Sequence, residues 1–363
     1  MKALVAMSGG VDSAVAAALL VDAGHEVTGV HLKLADVPIE QQVPGHGCCT
    51  LDDAQDARRT AQVLGIPFYV WDMSELFART VVDPFAAAYA SGRTPNPCVE
   101  CNRSVKYAAL LDRALRLGFD ALATGHHARV IEHNGRRRLL RGADVQKDQS
   151  YVLYVATQEQ LARSLFPVGA LTKAEVREEA ARRGLRVASK PDSYDVCFIP
   201  DGDTASYLAR RLPVLPGAVV GTDGARLGSH DGTWRFTVGQ RRGLGLHSHE
   251  RRYVADLDAA GGTVVVGPRT ALRSDWVELR DLNWTAGVAP AGEVLAQVRA
   301  HGATTPATIE GDRVRFAVPV EALAPGQSCV LYAPDDDECL GGGVIDAADR
   351  SALATTIGRP TRR

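Results

Sequence analysis

The first two dozen residues constrain the fold of this chain more than any other stretch. An apolar run, Ala3-Leu4-Val5-Ala6-Met7, leads at once into Ser8-Gly9-Gly10-Val11-Asp12-Ser13, and that string leads into Ala14-Val15-Ala16-Ala17-Ala18-Leu19-Leu20. The first run is short and apolar on both faces, which suits a buried parallel strand. The second has high helix propensity and stops at Gly24. The six residues between them therefore form a strand–loop–helix junction. Paired glycines let the backbone approach a ligand closely. The free amides at a helix start favour an anion, above all a phosphate, and Ser8 and Ser13 add hydroxyl donors. Asp12 is out of place beside a phosphate unless it holds a divalent cation or is neutralised by a neighbour. No Gly-Lys-Ser/Thr follows, so the string is not a Walker loop.

The 363 residues are 45% hydrophobic, enough for a sizeable core and two or three domains. There is no long uncharged apolar run, so no membrane span is expected. The N-terminus enters a strand directly, which argues against a signal peptide and for a cytosolic location. The 7 cysteines are an odd number in a chain with cytosolic features, so reactive or metal-binding thiols are expected in place of a disulfide framework. A net charge of −2 argues against a dedicated basic surface. Basic clusters exist locally, among them Arg58-Arg59, Arg136-Arg137-Arg138, Arg182-Arg183, Arg210-Arg211, Arg241-Arg242 and Arg251-Arg252. Each alone reads as a solvated face, whereas several on one side would hold a phosphate backbone. Composition leaves both open.

Along the chain, residues 26–34 and 66–71 read as further strands and residues 51–64 as a helix with early acids and later arginines. Ser74 and Ser104 read as helix caps, with Gly118 closing the second helix, and residues 121–124 as a fourth strand. Strands alternating with helices predict an α/β domain with a doubly wound parallel sheet that binds ligands at the carboxyl ends of its strands. Beyond about residue 188, glycine, proline and short alternating runs take over. Ala259-Ala260-Gly261-Gly262 marks a hairpin, and runs at 294–298, 307–309, 313–318, 329–332 and 343–345 predict a small antiparallel β-barrel. The expected layout is a catalytic domain over 1–205, a small central domain over 206–278, a C-terminal barrel over 279–350 and a disordered tail over 351–363.

Two cysteine sites stand out, Asn96-Pro97-Cys98-Val99-Glu100-Cys101-Asn102 and Asp192-Ser193-Tyr194-Asp195-Val196-Cys197-Phe198. A Cys-x-x-Cys can be a zinc half-site, a redox pair or part of an iron–sulfur cluster. Adjacent Cys48-Cys49 is a poor second half-site. Cys329 and Cys339 read as isolated buried thiols.

Taken together, the motifs resemble one family. The Ser8-to-Ser13 loop resembles that of the ATP-pyrophosphatases, which split ATP between the α and β phosphates. The string Thr94-Pro95-Asn96-Pro97-Cys98-x-x-Cys101-Asn102-x-x-x-Lys106-Tyr107 is similar to the signature of the tRNA-specific 2-thiouridylases. So are Ala123-Thr124-Gly125-His126-His127-Ala128-Arg129, Lys147-Asp148-Gln149-Ser150-Tyr151, Lys190-Pro191-Asp192-Ser193 with Cys197-Phe198-Ile199, the run from Thr237 through Gln240-Arg241-Arg242 to Gly245, and Pro325-Gly326-Gln327-Ser328. The resemblance covers almost the whole chain.

The resemblance implies ATP-dependent 2-thiolation of the wobble uridine of tRNA, in the cytoplasm. The C2 oxygen is adenylated and a cysteine persulfide supplies sulfur. It implies a fold with an adenine-nucleotide α-hydrolase-like N-terminal domain. By similarity Cys197 carries the persulfide and Cys101 is the nucleophile that completes release, leaving a Cys101–Cys197 disulfide. ATP is expected against Ala6, Met7, Ser8, Gly9, Gly10, Val11, Asp12, Ser13, Leu32 and Gly125, with Asp12 on Mg²⁺. Asn96, Pro97 and Cys98 are expected at the target base. His126, Lys147, Asp148, Gln149 and Gln327 are expected on tRNA, with Arg299 and His301 placed by a looser match. Partners implied are tRNA and a protein that donates persulfide sulfur, with no membrane. Alternatives are another adenylating synthetase of the same superfamily, or a thiolase holding a [4Fe–4S] cluster on Cys98, Cys101 and Cys197. The chain departs from common family patterns at Cys98, where some members carry Asp, and at His127, where Tyr is frequent.

Overall fold

The structure is a computed structural model that describes residues 1–34, 51–192, 196–199, 201–246, 250–335 and 337–349. Residues 35–50, which include the Cys48-Cys49 pair, together with Ser193-Tyr194-Asp195, Asp336 and the 351–363 tail, lie outside the described residues.

The N-terminal sheet has five parallel strands, β1 (Lys2–Ala6), β2 (Glu26–Lys33), β3 (Phe68–Asp72), β4 (Ala121–Ala123) and β7 (Ser164–Leu165), in the order β3-β2-β1-β4-β7. Ala3, Leu4 and Val5 of β1 are fully buried because helices cover both faces, which explains an apolar run with no alternation. Helix α1 (Val11–Asp22) is alanine-rich for the same reason. Ala17 and Leu20 pack with β1 and with Ala57 and Ala61 of α2 (Leu51–Leu64). Ala14, Val15 and Ala16 pack against Val176 and Ala180 of the Lys173–Arg182 helix. A helix buried on two sides needs small side chains to be approached closely. Strand order reverses between β1 and β4, so the Ser8-to-Ser13 loop and Gly125 face each other at the topological switch point.

A second sheet holds β8 (Gly217–Gly221), β9 (Arg226–His230), β10 (Tyr253–Asp258) and β11 (Thr263–Gly267), in the order β10-β11-β8-β9. The C-terminal strands are β12 (Arg273–Trp284), β13 (Gly292–Gln297), β14 (Thr305–Glu310), β15 (Arg313–Glu321), β16 (Ser328–Tyr332) and β17 (Glu338–Ala348). They run β12-β15-β14-β13-β16-β17, and β17 pairs back to β12, which closes an antiparallel barrel.

The expected domain layout does not include one feature. A hairpin within the N-terminal region, β5 (Ala128–His133) and β6 (Arg136–Arg141), extends the barrel sheet by pairing with β17. Its turn is Asn134-Gly135, both at positive φ, the conformation a two-residue hairpin favours. This accounts for the arginine triplet. Arg136 and Arg138 both meet Glu338, which is only 9% exposed, and Arg137 meets Glu132. The barrel is further joined to the first domain by Tyr151, whose hydroxyl donates to Ser328 O at 2.7 Å, and by Ser150 and Tyr332, whose hydroxyls lie 3.0 Å apart.

Two expected caps are corrected. Ser74 is the first residue of its helix, and Asp72 accepts from its amide at 2.9 Å and its hydroxyl at 2.6 Å. The helix assigned to begin at Ser104 begins at Pro97. Asn96 caps it, and Ser104 lies inside it with its hydroxyl on Glu100.

Candidate active site

The loop after β1 is held open by packing. Gly9 has φ +81°, and a Cβ there would sit 2.3 Å from Asp53 O of α2, so the α2 backbone presses on the loop and excludes any side chain. Gly10 is the N-cap of α1 and gives it no side-chain cap, which leaves first-turn amides available to an anion. Ser13 Oγ accepts from the Ser8 amide at 3.2 Å and donates to Gly10 O at 3.1 Å, which fixes the curl of the loop. Gly125 closes the opposite wall, since a Cβ there would lie 2.6 Å from Ser13 N and 2.7 Å from the Asp12 carbonyl carbon. The expected ATP set is therefore brought together at the carboxyl edge of the sheet. Ala6 ends β1, Leu32 is the penultimate residue of β2, and Met7 is held by its amide on Val30 O at 2.7 Å and by His31 Nδ1 on its carbonyl at 2.8 Å.

Asp12 is neutralised by neighbours that the sequence reading did not identify. Lys173 Nζ lies 2.7 Å from both carboxylate oxygens, and His127 Nε2 lies 3.2 Å from Oδ1. Burial raises the Asp12 pKa, but these two partners outweigh it and hold the carboxyl below its usual range. Lys173 also reaches Asp192 Oδ1 at 3.0 Å, and Asp192 further meets Lys147 and Arg177, each at 2.8 Å. Asp192 titrates well below an ordinary carboxyl, because Lys147 and Lys173 overcome the opposing effect of burial. Lys147, Lys173 and Arg177 thus face Asp12 and Asp192, with a third carboxylate, Asp144, on the Lys173 amide at 2.9 Å, so the cluster is charge-balanced. A faint signal for Lys173 was present in the sequence. It opens a helix inside a Thr172–Glu175 capping box, where the helix dipole opposes a cation unless carboxylates hold it. On the other flank, Lys190 Nζ donates to Gly9 O at 3.0 Å and to Asp53 and Asp56 at 2.8 Å each, which ties the loop to α2.

The first cysteine motif is a local design. Asn96 Oδ1 accepts from the amides of Cys98 at 3.0 Å and Val99 at 3.4 Å, and Pro97 occupies the first helical turn. The Pro97–Glu100 turn continues as a π-helical stretch, Cys101–Leu111, a wide geometry that recurs at functional positions. Cys98, Cys101 and Cys197 are all half-buried. Cys101 and Cys197 pack on one core cluster. Phe198, next to Cys197, is anchored edge-on to Phe77 and Phe85. Among the described residues no three His, Cys, Asp or Glu side chains form a metal-holding group, so the three thiols are not arranged as cluster ligands.

The expected RNA contacts divide. His126 is buried, with Nδ1 2.6 Å from Thr124 Oγ1 and Nε2 3.1 Å from Lys106 Nζ. The Lys106 ammonium can only donate, which assigns the ring proton to Nδ1. Burial first, and Lys106 second, keep the ring neutral. Asp148 is an internal strut that accepts from Arg141, the Gly142 and Ser150 amides and the Ser150 hydroxyl. Gln149 holds His127, since its Oε1 accepts from the His127 amide and its amide donates to His127 O, both at 2.9 Å. Gln327 Nε2 donates to Thr94 O at 3.0 Å. Lys147 is partly exposed beside Asp192. Arg299 and His301 are exposed in the turn after β13, with Arg299 bonded to the carbonyls of Glu321 and Ala322.

Three family models match successive parts of the chain: a tRNA methyl transferase HUP domain over residues 1–201, a tRNA methyl transferase PRC-barrel domain over 205–268 and an aminomethyltransferase beta-barrel domain over 274–345. The tRNA-specific 2-thiouridylase MnmA of Acidothermus cellulolyticus is 52% identical over 364 residues, covering 98% of this chain and 100% of its own. The one from Salinispora tropica is 53% identical over 361 residues, with 96% and 99% covered. That of Mycobacterium marinum is 52% identical over 359 residues, with 96% and 98% covered.

Proposed function

The chain belongs to the tRNA-specific 2-thiouridylase MnmA family, and from that premise we propose how its residues divide the reaction. It is an ATP-dependent enzyme of the pyrophosphate-loop class that forms 2-thiouridine in tRNA. The methyl-transfer wording of the family models fits the site less well, because methyl transfer would leave an open phosphate loop and two half-buried thiols without a task.

In the reading we favour, the first-turn amides of α1, with Ser8 and Ser13, receive the polyphosphate, and Lys173 and Lys190 flank it. The uridine C2 oxygen attacks the α-phosphorus and pyrophosphate leaves, which turns a poor leaving group into AMP. Cys197 carries the sulfur as a persulfide. Its terminal sulfur bonds to C2 and AMP departs. The Cys101 thiolate then attacks Cys197 Sγ, the sulfur–sulfur bond of the persulfide breaks, and 2-thiouridine is left with a Cys101–Cys197 disulfide to be reduced before the next turnover. Asp12 is the carboxylate that would take Mg²⁺, a cation often held by one carboxylate plus substrate phosphates, once Lys173, which bonds both its oxygens, gives way. Its charge is balanced by Lys173, which already has Asp192 as a second anchor. Such an ion would offset charge on the leaving pyrophosphate.

Of the expected RNA contacts, exposed Arg299 and His301 and partly exposed Lys147 are the groups with capacity to spare. A persulfide-carrying protein is proposed as the sulfur source. No described helix is long and apolar enough to cross a membrane, and we place the enzyme in the cytoplasm with its tRNA and ATP.

The observation that carries this reading is that an open phosphate loop and two half-buried thiols, Cys101 and Cys197, stand in a chain that matches the family over nearly its whole length. The test is thiolation of tRNA in vitro with ATP and a persulfide donor, run anaerobically with and without reconstituted iron. Cys197→Ser should yield no 2-thiouridine while still adenylating tRNA and releasing pyrophosphate. Persistence of 2-thiouridine in Cys197→Ser would defeat the assignment. Joint dependence on iron and Cys98 would restore the cluster alternative.

A further inference from the structure

Thr94, two residues before the Asn96 cap, is held by both other parts of the molecule. Its amide donates to Pro325 O at 2.7 Å and its carbonyl accepts from Gln327 Nε2 at 3.0 Å, so the turn before β16 grips one residue's backbone from both sides. Its hydroxyl donates to Thr237 Oγ1 at 3.2 Å, in the segment between β9 and β10. Gly326 makes the grip possible. It has φ +95°, and a Cβ there would lie 2.9 to 3.1 Å from the Thr94 backbone. The preceding residue, Arg93, reaches Asp346 of β17 at 2.8 Å. Immediately beyond the grip, Asn96 fixes the Cys98 and Val99 amides, and Cys101 follows at the end of that turn.

We propose that Gln327 and Gly326 are positioning residues. The barrel sets the register of the cysteine-bearing segment through Thr94, and Gln327 acts on Cys101 through the backbone. A two-point grip fixes both the position and the rotation of the Thr94 peptides. The rigid turn behind it carries that placement to the Cys101 sulfur. The proposal rests on the reading that Cys101 takes part in sulfur release.

The test uses the full chain and Gln327→Ala. Three quantities are measured: tRNA affinity, kcat for thiolation at saturating tRNA, and the rate at which iodoacetamide alkylates Cys101, with Cys197 in the same molecules as reference. At saturating tRNA, where any change in affinity no longer counts, we expect kcat lower by about tenfold, since displacements near 1 Å cost up to about a hundredfold. Cys101 alkylation should shift by about threefold or more while Cys197 is unmoved. Gly326→Ala should shift the same readouts further, and Thr94→Ser, which keeps all three bonds, should match wild type. If Gly326→Ala does not fold, Gln327→Ala decides alone. An unchanged Cys101 alkylation rate overturns the proposal, whether tRNA affinity drops, as it would for an RNA contact, or nothing changes. If the wild-type enzyme forms no 2-thiouridine, the parent reading fails, and the alkylation rates still judge the grip.

Discussion

Lys173→Met tests the electrostatics of the loop most directly. The ammonium lies 2.7 Å from both Asp12 oxygens and 3.0 Å from Asp192, and is itself only 13% exposed. At an effective dielectric of about 20, each such pair has a gross attraction of ~4 kcal/mol. Truncating one partner of a fully buried pair costs ~3–5 kcal/mol. Here the carboxylates are 29% and 35% exposed. Asp12 keeps His127, and Asp192 keeps Lys147 and Arg177. Water and these partners absorb most of the loss, leaving about 1–2 kcal/mol. At ~2–4 °C per kcal/mol for a unit of this size, the melting midpoint should fall by about 3–6 °C. The functional effect is separate. Removing one positive charge from the mouth of the loop should weaken polyphosphate binding by ~1–2 kcal/mol, a KM for ATP about tenfold higher. Lys173→Arg should restore most of it. The assays are thermal melting and tRNA-dependent AMP release against ATP concentration. A Lys173→Met enzyme with wild-type midpoint and wild-type KM would refute the assignment of Lys173 as the counter-charge of Asp12.

Gly125→Ala forces a methyl to within 2.7 Å of the Asp12–Ser13 backbone, which cannot retreat without moving α1. ATP binding measured by calorimetry should be lost, with a modest fall in melting temperature, and normal ATP binding would contradict the close approach. Asp192 has a folded pKa below its unfolded value, so its contribution is present above about pH 4 and lost as pH falls through that range toward the folded pKa. Melting temperature against pH should therefore fall on the acid side more gently for Asp192→Asn than for wild type, and parallel curves would sink the idea. Cys329 and Cys339 are fully buried, and burial pushes each thiol up to about 12. Cys329→Ser should cost ~1–3 kcal/mol in denaturant unfolding by burying a hydroxyl, with activity per folded molecule unchanged. A lower kcat in the folded fraction would give this thiol an unexpected role.

What the sequence determined by itself is local. The order apolar run, Gly-Gly loop, alanine-rich run produces a buried parallel strand and a helix with an open N-terminus, because strand burial, glycine backbone freedom and helix propensity all act within a few residues. The barrel strands were legible from period-two alternation, and the Asn96-Pro97 helix start was present in the sequence but misassigned to Ser104. The two cysteine segments stood out as motifs, because thiols among turn residues are exceptional. Tertiary structure decided which groups meet. Lys173, distant in the chain from Asp12, became its counter-charge only because the Lys173–Arg182 helix packs on α1. His126 and Asp148, expected to face RNA, were turned inward by Thr124, Lys106 and Arg141. The Arg136-Arg137-Arg138 strand joined the barrel because Glu338, far along the chain, supplies a buried partner for two of its charges. Propensity and burial pattern repeat along a sequence and can be read there. Charge pairing and hydrogen-bond satisfaction across long loops depend on distances that exist only once the sheets have closed.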